Sequence, residues 1–348
     1  MKQPLNTMPF TDDPTAEARK KDHIQLAFKS QIGLDQLDKR FAYEPLFAAH
    51  PVKGTPYGTI PFLGKTMRAP VWVSSMTGGT KMANTINHNL AKVCGEFGMG
   101  MGLGSCRGLL YSDEYLKDFA VRSLIGDDLP LYANLGIAQL EELIDQNELY
   151  RISQLLDKLA ADGLIIHINP FQEWMQPEGD QYKRPPLETI TTILEKMDIP
   201  IIVKEVGQGM GYKSLKALLQ LPLAAVDFAA SGGTNFSMLE LLRSDATKQT
   251  AYRNLAQVGH AAEEMVDLCN QIKIELGDKM LCQQLIISGG VQDFLDGYYL
   301  IEKANFAAIY GQASGFLKHA QGDYDTLYQH VERQVEGLKL AKAYLTLK

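Results

Sequence analysis

Within seven residues, His167-Ile168-Asn169-Pro170-Phe171-Gln172-Glu173 sets out an imidazole, two amides and a carboxylate, and Pro177-Glu178-Gly179-Asp180 follows closely. Imidazoles move protons near neutral pH, and carboxylates hold hard cations, so this stretch is equipped for acid-base work or for an anion bound through a metal. Further on, Lys204-Glu205 ends the apolar run Ile201-Ile202-Val203. A lysine leaving buried backbone must meet an anion or an electron-rich ligand, or else pair with Glu205 or Glu173. Three glycine turns come after it: Ser231-Gly232-Gly233-Thr234, Ser288-Gly289-Gly290 and Tyr310-Gly311-Gln312-Ala313-Ser314. Where such turns open helices, free N–H groups and the positive helix end hold phosphate. Earlier in the chain, Ser74-Ser75-Met76-Thr77-Gly78-Gly79-Thr80, Gly104-Ser105-Cys106-Arg107 and Asn134 add hydroxyls, a cation and a planar amide.

Nearly every one of these groups stands at the end of a short apolar run. The runs cover 71–73, 99–103, 131–133, 164–168, 201–203, 225–229, 285–287 and 306–310, each followed by a longer segment of helical spacing. Continuous apolar strands are buried on both faces, and strand alternating with helix gives a parallel sheet, so eight such units predict an α/β fold, a (β/α)8 TIM barrel. Active sites in that fold lie at the strand C-termini, which is where the reactive residues fall. In strand four, alternation points His167 and Asn169 to one side while Pro170 turns the chain out, leaving Gln172 and Glu173 over the mouth.

The reading is of one domain, 1–348, with an N-terminal arm and small β lid over 1–70 and the barrel over 71–348. Residues 1–18 are poor in apolar side chains and read as a loose arm. Prolines 45, 51, 56, 61 and 70, with glycines 54, 58 and 64, predict turns around short strands, hence a small β element at the barrel's mouth or base. The 236–282 insertion carries Ala256, Val258, Ala261, Ala262, Met265 and Leu268, which suit one long helix, and 323–345 should form the closing helix.

A net charge of −7 argues against general nucleic-acid binding. No apolar run approaches the ~20 residues of a membrane helix, and Asp12, Asp13 and Glu17 before Arg19-Lys20-Lys21 do not order like a secretory signal, so the cytoplasm is the expected location. The four cysteines, 94, 106, 269 and 282, are too scattered for a zinc site or a disulfide framework. Glycine turns on strands seven and eight together with an inward lysine on strand five favour a phosphate-bearing cofactor. Flavin mononucleotide fits, because a cation near its N1/C2 carbonyl edge stabilises the reduced anion; pyridoxal phosphate would also use a phosphate site and a lysine.

With these residues in place, the chain resembles the type 2 isopentenyl-diphosphate isomerases, flavoenzymes of the FMN-dependent barrel superfamily. Arg19-Lys20 with Asp22-His23, Met76-Thr77-Gly78-Gly79, Gly104-Ser105, Ala133-Asn134-Leu135-Gly136, the His167-to-Glu173 stretch, Pro177-Glu178-Gly179-Asp180, Val203-Lys204-Glu205-Val206-Gly207, Gly232-Gly233-Thr234 and Ser288-Gly289-Gly290 look like that family's motifs in order. The resemblance implies that Ser75, Met76, Thr77, Ser105, Asn134, Lys204, Thr234, Gly289, Gly290, Gly311 and Gln312 hold FMN. It implies that Arg19, Lys20, Ser105, Arg107, His167, Asn169 and Gln172 face a diphosphate substrate, that Glu173 helps to hold Mg²⁺, and that Gln172, His167 and Lys204 serve catalysis. It further implies NAD(P)H as reductant and a homo-oligomer, tetramer or octamer. The chain departs from the family pattern at Cys106, where Gln is common, and at Ala229-Ala230-Ser231 before the Gly-Gly-Thr motif.

The activity so implied is a reversible 1,3-proton shift between isopentenyl and dimethylallyl diphosphate, with reduced flavin supplying an electron-rich face and a proton carrier. Gln172 is uncharged and suits positioning or relay better than acid catalysis. The rivals are an FMN barrel oxidoreductase of the 2-hydroxy acid oxidase kind and a barrel that binds a phosphorylated ligand without catalysis. The former wants a histidine base beside an arginine late in the barrel, where this chain has Gln292 and Asp293 after Ser288-Gly289-Gly290.

Overall fold

A computed structural model describes residues 15–75 and 81–348. They divide into two units, residues 15–42 with Lys348, and residues 43–347. In the first, helix Ala16–Leu26 buries none of its side chains, and Arg40 closes on Asp38 at 2.7 Å.

The second unit is built on a closed barrel of eight parallel strands, β1 (Val71–Val73), β2 (Gly100–Gly102), β3 (Leu131–Gly136), β4 (Gly163–His167), β5 (Ile201–Lys204), β6 (Ala225–Asp227), β7 (Gln284–Ser288) and β8 (Ala307–Gln312). Their side chains are almost all buried, as the unbroken apolar runs require. Trp72 and Tyr132 meet edge to face inside. The surrounding helices bury one stripe each; Ile152, Leu155, Leu156 and Leu159 of helix Tyr150–Leu159 recur at three- and four-residue intervals and face inward. Among the described residues no helix is long and apolar enough to cross a membrane.

The short β element expected from the proline-rich stretch is the hairpin Ile60–Phe62/Lys65–Met67, and of the two ends the sequence allows it takes the base. Leu63 N–H donates to Gln284 at the start of β7 (2.8 Å), and Lys65 reaches Asp162 just before β4 (2.6 Å). Phe62 and Met67 are wholly buried there. The strand C-termini at the opposite end stay free for chemistry.

The insertion after β6 differs from the single helix its apolar spacing suggests. It forms helices Phe236–Arg243, Ala246–Ala256 and Ala262–Leu276. Asp245 caps the second by accepting from Lys248 N–H, and the break before the third has a steric cause. A Cβ on Gly259 would lie 2.1 Å from Ser231 Oγ and 2.6 Å from Gln208 O, so only glycine fits where the chain passes these two loops. His260 N–H donates to Gln208 O (2.8 Å) and Ser231 N–H to His260 O (2.9 Å), pinning the turn after β6. Leu241 and Ala256 also pack on Met175, the last residue of helix Pro170–Met175 that carries Gln172 and Glu173. The closing helix runs Tyr324–Tyr344, close to its expected bounds.

Candidate active site

Strand register sets the heart of the site. Gly136 pairs with His167, His167 with Lys204 and Lys204 with Asp227, so the ends of β3 to β6 present one row of neighbouring positions. A side chain on Gly136 would put its Cβ 2.8 Å from His167 Nε2; glycine there makes room for the imidazole.

Lys204 and Asp227 open onto a cavity of about 320 Å³ at the strand C-termini, ringed by Ser74, Ser75 and the glycine turns after β6, β7 and β8. The turn after β7 needs Gly289 and Gly290, whose φ values are +86° and +74°. The turns after β6 and β7 touch back to back, since a Cβ on Gly232 would lie 3.1 Å from Gly290 Cα. No acceptor among the described residues meets the backbone amides of Gly232, Gly233, Gly289 or Gly290. Successive free amides in such turns form an anion-binding concavity. Ser74 Oγ, Ser75 Oγ and Gln312 Oε1 are buried without a partner among the described residues, although Gln312 Nε2 donates to Val291 O (3.1 Å). Orphaned buried polar atoms are rare in folded proteins, so their gathering on one cavity wall marks a ligand surface.

The Lys204 ammonium donates to the Glu205 carbonyl at 2.7 Å. The Glu205 carboxylate is turned away and accepts from Gly207 (2.7 Å), Gln208 (2.6 Å) and Gly209 (3.1 Å) N–H, so the alternative of a side-chain salt bridge from Lys204 to Glu205 or Glu173 is not what the structure forms. Burial pushes the Lys204 pKa down, and the charges of Asp227 and Glu205 oppose it.

A second cluster lies over β3 and β4. Asn134 donates through Nδ2 to Leu103 O (3.0 Å), which leaves Oδ1 as acceptor for His167 Nδ1 at 2.8 Å. His167 therefore carries its hydrogen on Nδ1 and offers Nε2 as an acceptor. Burial, and then the charge of Lys204, press its pKa down to about 3, so the imidazole is neutral. Asn169 spends both amide hydrogens within the protein, on Gln172 Oε1 (3.0 Å) and Glu173 Oε1 (2.8 Å). Tyr182 holds Asn169 from behind, its hydroxyl accepting from Asn169 N–H (2.9 Å) and donating to Oδ1 (2.8 Å). Glu173 Oε2 takes Asp180 N–H (2.8 Å), and the Asp180 carboxylate accepts from Arg107 (2.8 Å) and Gln139 (2.9 Å). Each Glu173 oxygen keeps a lone pair, an oriented carboxylate of the kind that joins phosphate oxygens around Mg²⁺.

Of the residues expected to hold a cofactor, the cavity gathers Ser75, Lys204, Thr234, Gly289, Gly290, Gly311 and Gln312. Ser105 and Asn134 do not line it; Ser105 is exposed, and Asn134 is buried against His167. Met76 and Thr77 lie outside the described residues. The expected substrate residues His167, Asn169 and Gln172 share the second cluster with the expected metal ligand Glu173, and Arg107 reaches it through Asp180. Arg19 and Lys20 belong to the other unit, on helix Ala16–Leu26. Cys106 turns inward, its N–H on Asn134 O (2.7 Å) and its thiol, pushed up to about 12 by burial, on Gly104 O (3.3 Å). Two residues escaped the sequence reading. Asp227 sat inside an apolar run, where an acid was itself a signal, and Tyr182 stood in a loop with nothing to mark it.

No protein-family model matches the chain. Among solved structures it is similar to the flavin-binding domain of baker's yeast flavocytochrome b2, with a TM-score of 0.58 and 11% identity, covering 87% of this chain and 71% of that one. It is also similar to a mandelate oxidase variant with the monooxide FMN adduct, at TM-score 0.52 and 10% identity, covering 87% of each chain. At such identities the likeness shows the fold. Sequence relatives say more. The isopentenyl-diphosphate delta-isomerase of Rickettsia peacockii (strain Rustic) is 33% identical over 328 residues, 92% of this chain and 91% of the relative. That of Rickettsia felis is 34% identical over 341 residues, 97% and 94% of the two chains. With its barrel closed, its two polar clusters at the strand C-termini and a third of its residues shared with these proteins over nine-tenths of its length, the chain belongs to the isopentenyl-diphosphate delta-isomerase family.

Proposed function

We propose that the chain is an FMN-dependent, type 2 isopentenyl-diphosphate isomerase that interconverts isopentenyl and dimethylallyl diphosphate by a 1,3-proton shift. The observation that carries the reading is a cavity with free glycine amides, orphaned Ser74, Ser75 and Gln312 atoms and an inward lysine, in a chain of this family. A flavin phosphate would take the turns at Gly289-Gly290 and Gly311-Gln312, with Thr234 beside them and Ser75 and Lys204 toward the ring. When bound and reduced, FMN supplies an electron-rich face for the developing positive charge and a proton carrier. NAD(P)H is the reductant in this reading, and the protein is a cytoplasmic homo-oligomer.

The rest of the work falls to the chain. Glu173, held by Asn169 and Asp180, would ligate Mg²⁺ beside the diphosphate. Arg107 would balance part of the remaining negative charge, and the Ser105 hydroxyl would donate a hydrogen bond. His167, neutral and with Nε2 open, would accept a hydrogen bond from a protonated phosphate oxygen. Gln172 gives its oxygen to Asn169 and keeps its N–H₂ for substrate, which makes it a positioning group. Asn169 acts through Gln172 and Glu173.

Glu173→Gln tests the assignment. FMN uptake, followed by its visible absorbance, should persist while Mg²⁺-dependent turnover falls by ~10²-fold or more; full turnover in that variant would remove Glu173 from the metal site, and a chain that takes up no FMN would remove the flavin.

A further inference from the structure

Asp227 is 1% exposed, the one acid in the strand Ala225–Asp227. A carboxylate so deeply placed stays ionised only with partners arranged for it. Its Oδ1 accepts a hydrogen bond from the Ser288 hydroxyl of β7. Ser288 Oγ itself accepts from Ala229 N–H at 2.8 Å. That amide occupies a lone pair of the hydroxyl and leaves its hydrogen aimed at Asp227, so Ser288 donates and, with the charge of Lys204, works for the carboxylate form against the burial that pushes the Asp227 pKa up. On the other side Asp227 is the register partner of Lys204, which is 8% exposed. The remaining groups near Lys204 do not compete for the role: the Glu205 carboxylate is spent on three backbone amides, and His167 is neutral and held by Asn134.

We infer that Asp227, anchored by Ser288, is a positioning residue that keeps Lys204 charged at the cavity floor and thereby sets the charge presented to the electron-rich edge of the flavin, an inference that rests on the flavin reading above. Neither Asp227 nor Ser288 needs to touch substrate for this. The charge balance around Lys204 runs the same way, burial working against its proton and Asp227 foremost in favour of it.

The experiment follows Lys204 directly by side-chain NMR over pH in ¹³C,¹⁵N-lysine-labelled protein, without and with FMN, the signal being assigned by its loss in Lys204→Arg. In Asp227→Asn the lysine should lose its proton at a pH lower by about one unit or more. Ser288→Ala should shift it the same way by less, and Ser288→Thr, which restores a hydroxyl, should return it toward wild type. With FMN bound, the midpoint potential of Asp227→Asn plotted against pH should bend at the new lysine titration point, where the wild-type plot runs straight. An unchanged Lys204 titration in a variant that takes up FMN overturns this inference alone. Failure of the wild-type chain to take up FMN overturns the flavin reading instead, and the placement against the flavin with it. Should Asp227→Asn not fold, Ser288→Ala decides by the same titration.

Discussion

Removing one oxygen atom, in Tyr182→Phe, should loosen the metal-binding carboxylate without touching it. The Tyr182 hydroxyl accepts from Asn169 N–H (2.9 Å) and donates to Asn169 Oδ1 (2.8 Å), and Asn169 is 2% exposed. Phenylalanine fills the same space but orphans both Asn169 atoms, each worth ~1–3 kcal/mol when left buried and unpaired, for a net cost of about 2–3 kcal/mol once neighbours relax. Unfolding entropy of ~2.1 cal/mol/K per residue makes ~0.7 kcal/mol/K for a chain of this length, so the melting temperature should fall by about 3–4 °C. Asn169 is also the donor that orients Glu173 Oε1 (2.8 Å) and Gln172 Oε1 (3.0 Å). Loss of an outer partner of a metal ligand weakens metal binding by ~10–100-fold, and the retained Asp180 N–H bond on Glu173 Oε2 argues for the lower end, about 10-fold. A calorimetric melt and a Mg²⁺ titration of turnover at saturating substrate read the two effects. A lowered melting temperature with a wild-type Mg²⁺ requirement would refute the claim that Tyr182 acts through Asn169 on Glu173, and no change in either would refute the hydrogen-bond network itself.

Three further outcomes follow from other parts of the molecule. Ala229 sits at φ +42°, a left-handed conformation that costs an L-residue ~1–2 kcal/mol, so Ala229→Gly should stabilise by about 0.5–1 kcal/mol after glycine's greater freedom in the unfolded chain is counted; a destabilised variant in a denaturant melt would contradict this. At the base, the Asp162 carboxylate binds Lys65 (2.6 Å) and Arg122 (2.7 Å), and both cations also reach main-chain carbonyls, so Asp162→Asn should cost about 2 kcal/mol and leave kcat at 25 °C unchanged, whereas a lost kcat would mean that the base and the mouth are coupled. Acid should weaken the fold before its carboxylates protonate. His330 Nε2 accepts from Gln334 Nε2 (2.8 Å), whose oxygen is fixed by Tyr310 OH (3.0 Å), and burial holds the His330 pKa at about 4 and that of His167 at about 3. An unfolded histidine titrates near ~6.5, so between about pH 6.5 and 4 the unfolded chain binds more protons and stability falls as pH falls. His330→Gln should flatten that slope in melts run from pH 7 to 5, and an unaltered slope would count against it.

How much of this was legible in the sequence depended on the range of the interactions involved. Strand positions were readable because a doubly buried strand needs only its own apolar residues, and the strand ends followed from the polar or glycine residue that stops each run. The grouping of Ser75, Lys204, Thr234, Gly289, Gly290, Gly311 and Gln312 in one cavity then came from topology. What escaped depended on distant partners. The base location of the 60–67 hairpin rests on Leu63 meeting Gln284 and Lys65 meeting Asp162. The break in the insertion rests on Gly259 passing Ser231 and Gln208, against an apolar spacing that continues through it. Tyr182 supports Asn169 from 13 residues away in a loop. The resemblance set Asn169 and Gln172 alike against the substrate, and only the hydrogen-bond directions separate the one that organises from the one left open to substrate.

The most direct test of the central claim is anaerobic turnover of isopentenyl diphosphate by the purified protein with FMN and Mg²⁺, comparing NADPH-reduced with oxidised enzyme and following dimethylallyl diphosphate. Product should form from the reduced enzyme only, with no net consumption of NADPH per turnover. Product at equal rates from oxidised enzyme, or bound flavin in the reduced state with no product at all, would contradict that claim.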